Sequence, residues 1–334
     1  MEIGKIPENV LDRSIIKALH TKRPEVIVGP GIGEDCAALC LADDEELVVS
    51  TDPITGTSTD IGNLAINVTV NDLASAGAEP IGVMVTLLLT PRTREAKLKK
   101  IMEQIDSACN EYNLQVIGGH TEVTDAVNKP VISITGLGKV KKGKMISTGG
   151  AKPGMDIVVS KWIGLEGTSI IAKDYAKQLQ TKLPSTLIEK AAGFDTYLSV
   201  LKEAMIAVDH GVAAMHDITE GGIFGAIWEM GKASGCGMDI DIKKIPIKQE
   251  TIEICEFYDI NPYELISSGS MLMAVADGNG LVKALTDAGI NAAVIGKATE
   301  GNDRVLHYDG ETRFLEPPKS DALYLVADRT DKEE

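Results

Sequence analysis

The segment Ala65–Pro80 constrains this chain more than any other. Ala65-Ile66-Asn67-Val68-Thr69-Val70-Asn71-Asp72-Leu73-Ala74-Ser75-Ala76-Gly77-Ala78-Glu79-Pro80 reads as a helix. Leu64, Val68 and Ala76 share one rough face, with Leu73 beside it. Ala65, Ala74, Ser75, Ala76 and Gly77 are small enough to let another backbone approach closely. Gly77 is placed for a C-cap, and Pro80 prevents continuation. A segment this apolar is fit for burial, so Asn67, Asn71 and Asp72 need partners. Two readings follow. One is core hydrogen bonding and capping. The other is a metal and phosphate site with Asp72 as an oxygen ligand.

A chain of 334 residues is comfortable for two domains. Around Lys139–Pro153 the composition turns to Lys, Gly and Ser/Thr, which sets the boundary between residues 1–150 and 151–334. The net charge is -16 and no basic run occurs, which argues against a nucleic-acid surface. An acidic protein still binds an anion such as ATP when Mg²⁺ and backbone N–H groups supply the local positive field. No apolar stretch reaches the length of a membrane span, and Met1–Lys5 has no signal-peptide pattern. The five cysteines lack zinc spacing; Cys36 and Cys40 are expected as buried thiols. The expected setting is the reducing cytoplasm.

Strands and helices alternate along the chain. Residues 5–20 suit an amphipathic helix, and Val26–Val28 a short strand. That strand leads into Gly29-Pro30-Gly31-Ile32-Gly33-Glu34-Asp35, a tight turn whose backbone can approach a ligand. It lacks the Lys-Ser/Thr ending of a P-loop. A strand at 47–50 ends in Thr51-Asp52-Pro53; Asp52 there reads either as ligand-facing or as a turn former. A strand at 81–89, a helix at 93–112 and a buried strand at 115–117 follow. The last runs into Gly118-Gly119-His120-Thr121-Glu122, a second glycine-and-polar turn, and Val131–Leu137 is a further strand. In the second half His216-Asp217-Ile218-Thr219-Glu220-Gly221-Gly222 precedes a helix from Ile223 to Ser234. Its polar residues suit anion binding at a helix N-terminus, and Asp217 or Thr219 equally suits the N-cap. Asp35, Asp52, Asp72, Glu122 and Asp217 are hard oxygen ligands of the kind Mg²⁺ takes alongside nucleotide phosphates.

In that order these motifs resemble the aminoimidazole ribonucleotide synthetase superfamily across nearly the whole chain. The superfamily includes the purine enzyme, thiamin-monophosphate kinase, selenophosphate synthetase and the hydrogenase maturation factor that makes cyanide ligands. The resemblance implies a two-domain α/β (α+β) fold. The N-terminal domain would bind ATP and Mg²⁺ and pair its sheet into a barrel across a homodimer. The C-terminal α/β domain would complete the active-site cleft. It implies Mg²⁺ ligation by Asp35, Asp52, Asp72 and Asp217, with Glu122 as a further candidate. Gly31, Gly33, Asn71, Gly118, Gly119, His120, Thr121 and Thr219 fall at nucleotide and phosphate positions. His216 and Glu220 are the candidates for proton handling. The His-Asp-x-Thr-Glu-Gly-Gly form is most like the hydrogenase factor and the purine enzyme.

Two departures stand out. His120 occupies a position where the superfamily usually has an acid. The cyanide-forming factor carries its substrate on a C-terminal cysteine, whereas here the last residues are Asp331-Lys332-Glu333-Glu334 and the last cysteine is Cys255. A relative of that factor, rather than the factor itself, is therefore expected. The leading functional expectation is phosphorylation of a carbonyl or amide oxygen by ATP. A small-molecule kinase and a non-catalytic nucleotide-binding partner remain open. Loops at 54–62, 178–195 and 258–269 are expected to set the acceptor.

Overall fold

The computed structural model describes residues 2–54, 60–317 and 320–330. The specificity loop at 54–62 therefore lies partly outside the described residues, as does the 331–334 tail. The chain divides into two compact units, Met1–Met145 and Ile146–Glu334.

Unit 1 contains β1 (Gly4–Lys5), α1 (Glu8–Ser14), β2 (Val26–Val28), β3 (Ala38–Leu39), β4 (Glu45–Ile54), α2 (Ile61–Ser75), β5 (Glu79–Leu89), α3 (Glu95–Glu111), β6 (Gln115–Val123) and β7 (Val131–Lys141). Its main sheet has the order β1-β6-β5-β7-β4. Only β5 and β6 run parallel, joined by the α3 crossover. β2 and β3 form a separate antiparallel pair.

The apolar 65–80 segment becomes α2, buried on nearly every side. It packs on β7 where the sheet has no side chains in the way. A Cβ at Gly136 would stand 2.3 Å from Thr69 Cγ2, and one at Gly138 3.3 Å from Leu73 Cδ2. The helix ends at Ser75, and Gly77 takes φ +70°, a conformation that suits glycine past a helix end. Asn67 is satisfied inside the fold. Its Nδ2 donates to the Asn63 carbonyl at 2.9 Å, and its Oδ1 accepts from Tyr112 Oη at 2.6 Å.

Unit 2 contains β8 (Asp156–Ser160), α4 (Leu165–Asp174), α5 (Ala176–Leu179), α6 (Ser185–Ala192), α7 (Leu201–Asp209), β9 (Ala214–Asp217), α8 (Gly222–Ser234), β10 (Gly237–Asp241), α9 (Gln249–Tyr258), β11 (Met271–Val275), α10 (Gly278–Asp287), β12 (Ala292–Thr299), β13 (Arg304–Tyr308), β14 (Glu311–Phe314) and α11 (Ala322–Thr330). The sheet order is β14-β13-β10-β12-β8-β11-β9. One apolar cluster joins the sheet to α8 through Ile157, Leu272, Ile223 and Ile227. A second joins α4, α6, α9 and α11 through Ile171, Ile188, Ile254 and Val326.

Several expectations are corrected. The 5–20 helix is α1 followed by a short 3-10 turn at Ile16–Ala18. The Gly118–Glu122 segment is not a turn after a strand but the second half of β6. Pairing with β5 supplies its hydrogen bonds, and a Cβ at Gly119 would lie 1.9 Å from the Val85 carbonyl oxygen. His216 and Asp217 end β9, paired with Leu272 and Met271. Cys36 and Cys40 are exposed, not buried.

Candidate active site

In unit 1 the two glycine-rich segments meet. A cavity of about 340 Å³ is lined by Gly31, Gly33 and Asp35 from the β2–β3 connection and by Gly118, Gly119, His120 and Thr121 from β6. Glycines at these positions leave the backbone open to a bound group; at Gly118 and Gly33 an added Cβ would meet nothing. Lys5 also lines the cavity. It is registered against Glu122 on the neighbouring strand. The sequence reading missed Lys5, because a two-residue strand leaves no periodic signal. His120 is exposed, and its Nε2 lies 3.2 Å from Glu122 Oε2.

Asp52, Asp72, Asn71 and Glu122 do not line that cavity. Asp72 projects from α2 to the sheet, where Ser50 Oγ donates to its Oδ2. Asp52 lies two residues along β4 from Ser50 and so shares the face that meets α2. Asn71 is fully buried. Among the described residues no three His, Cys, Asp or Glu side chains converge as a metal cage. The expected ligand set is therefore not gathered into one group. The donors present fit a Mg²⁺ held by one or two carboxylates plus phosphate oxygens, the usual arrangement for this ion.

In unit 2 the 216–222 loop is shaped by glycine, not by an acidic cap. The N-cap of α8 is Gly221, at φ +80°, and neither Asp217 nor Thr219 caps the helix. Asp217 is buried at the end of β9. His216 Nε2 lies 2.7 Å from Glu229 Oε2 on α8. Thr219 turns the chain, its carbonyl accepting from Gly222 N–H at 3.1 Å. Glu220 Oε1 accepts from Tyr324 Oη at 2.6 Å. That bond and the carboxylate charge raise the Tyr324 hydroxyl to about 12 and keep it a donor.

Beside this loop Glu166 is buried with its Oε2 lacking a hydrogen-bond partner. Burial pushes its carboxyl up to about 7; hydrogen bonds from Ser268 oppose this, and the charges of Asp321 and Glu220 add to it. The sequence carried no signal for Glu166, Glu229, Asp321 or Tyr324, since each meets the loop only through the tertiary fold.

The glycine-lined cavity, the two-unit fold and the 216–222 loop define a class. The chain belongs to the AIR synthase related proteins: residues 33–140 match the N-terminal domain of that family and residues 152–309 its C-terminal domain. It is similar to a protein of Methanocaldococcus jannaschii named for hydrogenase expression/formation, with 30% identity over 91% of this chain and 90% of that one. It is also 30% identical to the carbamoyl dehydratase HypE of Cupriavidus necator, over 76% of this chain and 72% of the relative. The fold superposes on the crystal structure of the hydrogenase maturation protein HypE in complex with ATP. The TM-score is 0.80 at 20% identity, covering 97% of each chain.

Proposed function

We propose that this chain is an ATP- and Mg²⁺-dependent enzyme that phosphorylates the amide-type oxygen of a carbamoyl acceptor, which then leaves as phosphate. The similarity to a carbamoyl dehydratase over most of its length carries this reading. The unit 1 cavity supplies a place for the nucleotide.

Phosphoryl transfer of this kind needs positioning and charge neutralisation more than a protein nucleophile. The backbone of Gly31–Gly33 and Gly118–Gly119 approaches the phosphates, and Lys5 adds a cation beside them. Asp72, fixed by Ser50, and Asp52 are the carboxylates that would hold Mg²⁺; Asp35, Glu122 and Asp217 are the other candidate ligands. Mg²⁺ held there would supply charge neutralisation at the phosphates. His120 and Thr121 add polar contacts at the cavity wall, and Thr219 is a further candidate; Asn71, fully buried, would act from behind Asp72. His216, oriented by Glu229, and Glu220 handle the proton. A cytoplasmic homodimer is part of the same proposal. Leu47, Val49 and Met84 stay exposed, and Leu47 and Val49 lie on the face of β4 turned away from α2. No helix among the described residues is long and apolar enough to cross a membrane.

The test is calorimetric titration with ADP and a non-hydrolysable ATP analogue, with Mg²⁺ and then with chelator. Phosphate release with a carbamoylated acceptor follows. Metal-dependent binding, lost at least tenfold in Asp72→Asn, is expected, together with ADP and free phosphate as products. A phosphorylated acceptor without free phosphate would mark a kinase. Binding without turnover on any acceptor would mark a non-catalytic partner.

A further inference from the structure

Two side chains on the start of α11 grip the 216–222 loop of unit 2. Asp321 is 3% exposed and joins three segments. Its Oδ2 accepts from Gly221 N–H at 2.7 Å, and its Oδ1 from Ile266 N–H at 3.2 Å and Leu323 N–H at 2.8 Å. Three residues on, Tyr324 holds Glu220 at 2.6 Å. The loop cannot set itself. Gly221 and Gly222 take φ +80° and +59°, no side chain caps α8, and a Cβ at Gly222 would lie 2.5 Å from the Tyr263 carbonyl oxygen. Glu220 is exposed, so its side chain has many rotamers open to it. The carboxyls of Asp321 and Glu166 face it and repel its charge. The Tyr324 hydroxyl is the counterpull.

The grip has a firm base. Ala322 and Val326 are buried in the cluster that contains Leu265, Ile254 and Tyr258. Two apolar anchors on α11 thus flank the tyrosine that reaches Glu220.

We propose that Asp321 and Tyr324 are positioning residues for the reaction. Asp321 sets the Gly221 turn and so the start of α8. Tyr324 selects the one Glu220 rotamer that handles the proton. The role in turnover rests on the function proposed above; the grip on the loop does not.

Hydrogen exchange of a peptide covering residues 218–223 tests the grip without any activity. Asp321→Asn replaces one acceptor oxygen with an N–H₂ group that cannot accept from a backbone N–H, and Tyr324→Phe removes one hydroxyl and keeps the ring. Both are expected to speed exchange of this peptide about tenfold, while the melting temperature of Tyr324→Phe stays near that of the parent. Unchanged exchange in both variants would overturn the proposal. Turnover supplies the second readout. Tyr324→Phe is expected to lower kcat about tenfold with KM for ATP unchanged. Glu220→Gln should behave alike, and the double variant should be no worse than the more impaired single one. Full turnover in Tyr324→Phe, or additive losses, would remove the positioning role. Absence of turnover in the parent chain would defeat the proposed reaction and leave the exchange result to decide the grip.

Discussion

Each unit buries a glutamate, and the two end in opposite states. Glu25 in unit 1 is 7% exposed and sits among cations: Arg23 Nη2 and Lys139 Nζ each lie 2.8 Å from its Oε1. Burial works to raise its carboxyl, but Arg23 and Lys139 more than offset this and bring it to about 2. Glu166 in unit 2 is 6% exposed, and burial raises its carboxyl to about 7, with Ser268 opposing the rise and the charges of Asp321 and Glu220 adding to it. One carboxyl therefore stays ionised across the working range, and the other takes up a proton near neutrality. Burial raises both carboxyls; the cations beside Glu25 reverse that effect, and nothing comparable does so at Glu166. Unit 2 also contains the contrary case. Glu203 is 1% exposed, yet Lys161 Nζ lies 2.9 Å from its Oε1. Lys161 donates further to the Tyr197 and Ser199 carbonyls.

The largest expected effect breaks that contrary case. Lys161→Met strands the Glu203 carboxylate and should cost about 4 kcal/mol in denaturant unfolding at pH 7. A loss no larger than that of a surface lysine would show that the pair is dispensable.

Glu166→Gln sharpens the comparison. The native carboxyl binds its proton more tightly than the unfolded one, so its contribution is full below about pH 4.5 and fades as pH rises through about 7. Across that window the parent should lose about 3 kcal/mol relative to the glutamine variant. Parallel stability curves for the two proteins would place a charged Glu166 in the unfolded and folded states alike.

The smallest effect runs the other way. Glu25 is held below its ordinary range, so its contribution is present above about pH 4.5 and is lost as pH falls toward 2. Glu25→Gln should cost roughly 2 kcal/mol near neutrality, because Arg23 keeps Glu79 and Lys139 keeps Glu45 and Glu79 as partners. The parent and variant should converge on acidification.

Much of the fold was legible because long elements carry long patterns. α2, α3, β5 and β7 all follow from apolar periodicity in the sequence. The failures have a shared cause. β6 continues past Ile117 because it pairs with β5, whose Val85 carbonyl demands glycine at 119, and such a demand from a neighbouring strand is invisible along one chain. β10, β13 and β14 were missed for a similar reason: they are short strands fixed by pairing partners far away in sequence. The candidate site was legible as motifs and not as geometry. Gly31, Gly33, Asp35 and Gly118–Thr121 do share a cavity. Asp72 instead meets Ser50, and Asp52 shares its face rather than the cavity wall. Along the sequence the tail shows only the apolar run Leu323-Tyr324-Leu325-Val326 ahead of charged residues. Nothing local in Asp321 or Tyr324 announces a partner a hundred residues earlier.

That separation has a consequence during synthesis. Gly221 and Asp321 are 100 residues apart, and Glu220 and Tyr324 are 104 apart. A ribosome adds roughly 5 to 20 residues per second, so the loop waits roughly 5 to 20 seconds for the segment that sets it. Through that interval the nascent chain carries its glycines and Glu220 without the shape that the finished protein gives them. The order of translation thus acts as a timer, and α11, emerging about a hundred residues later, completes the loop.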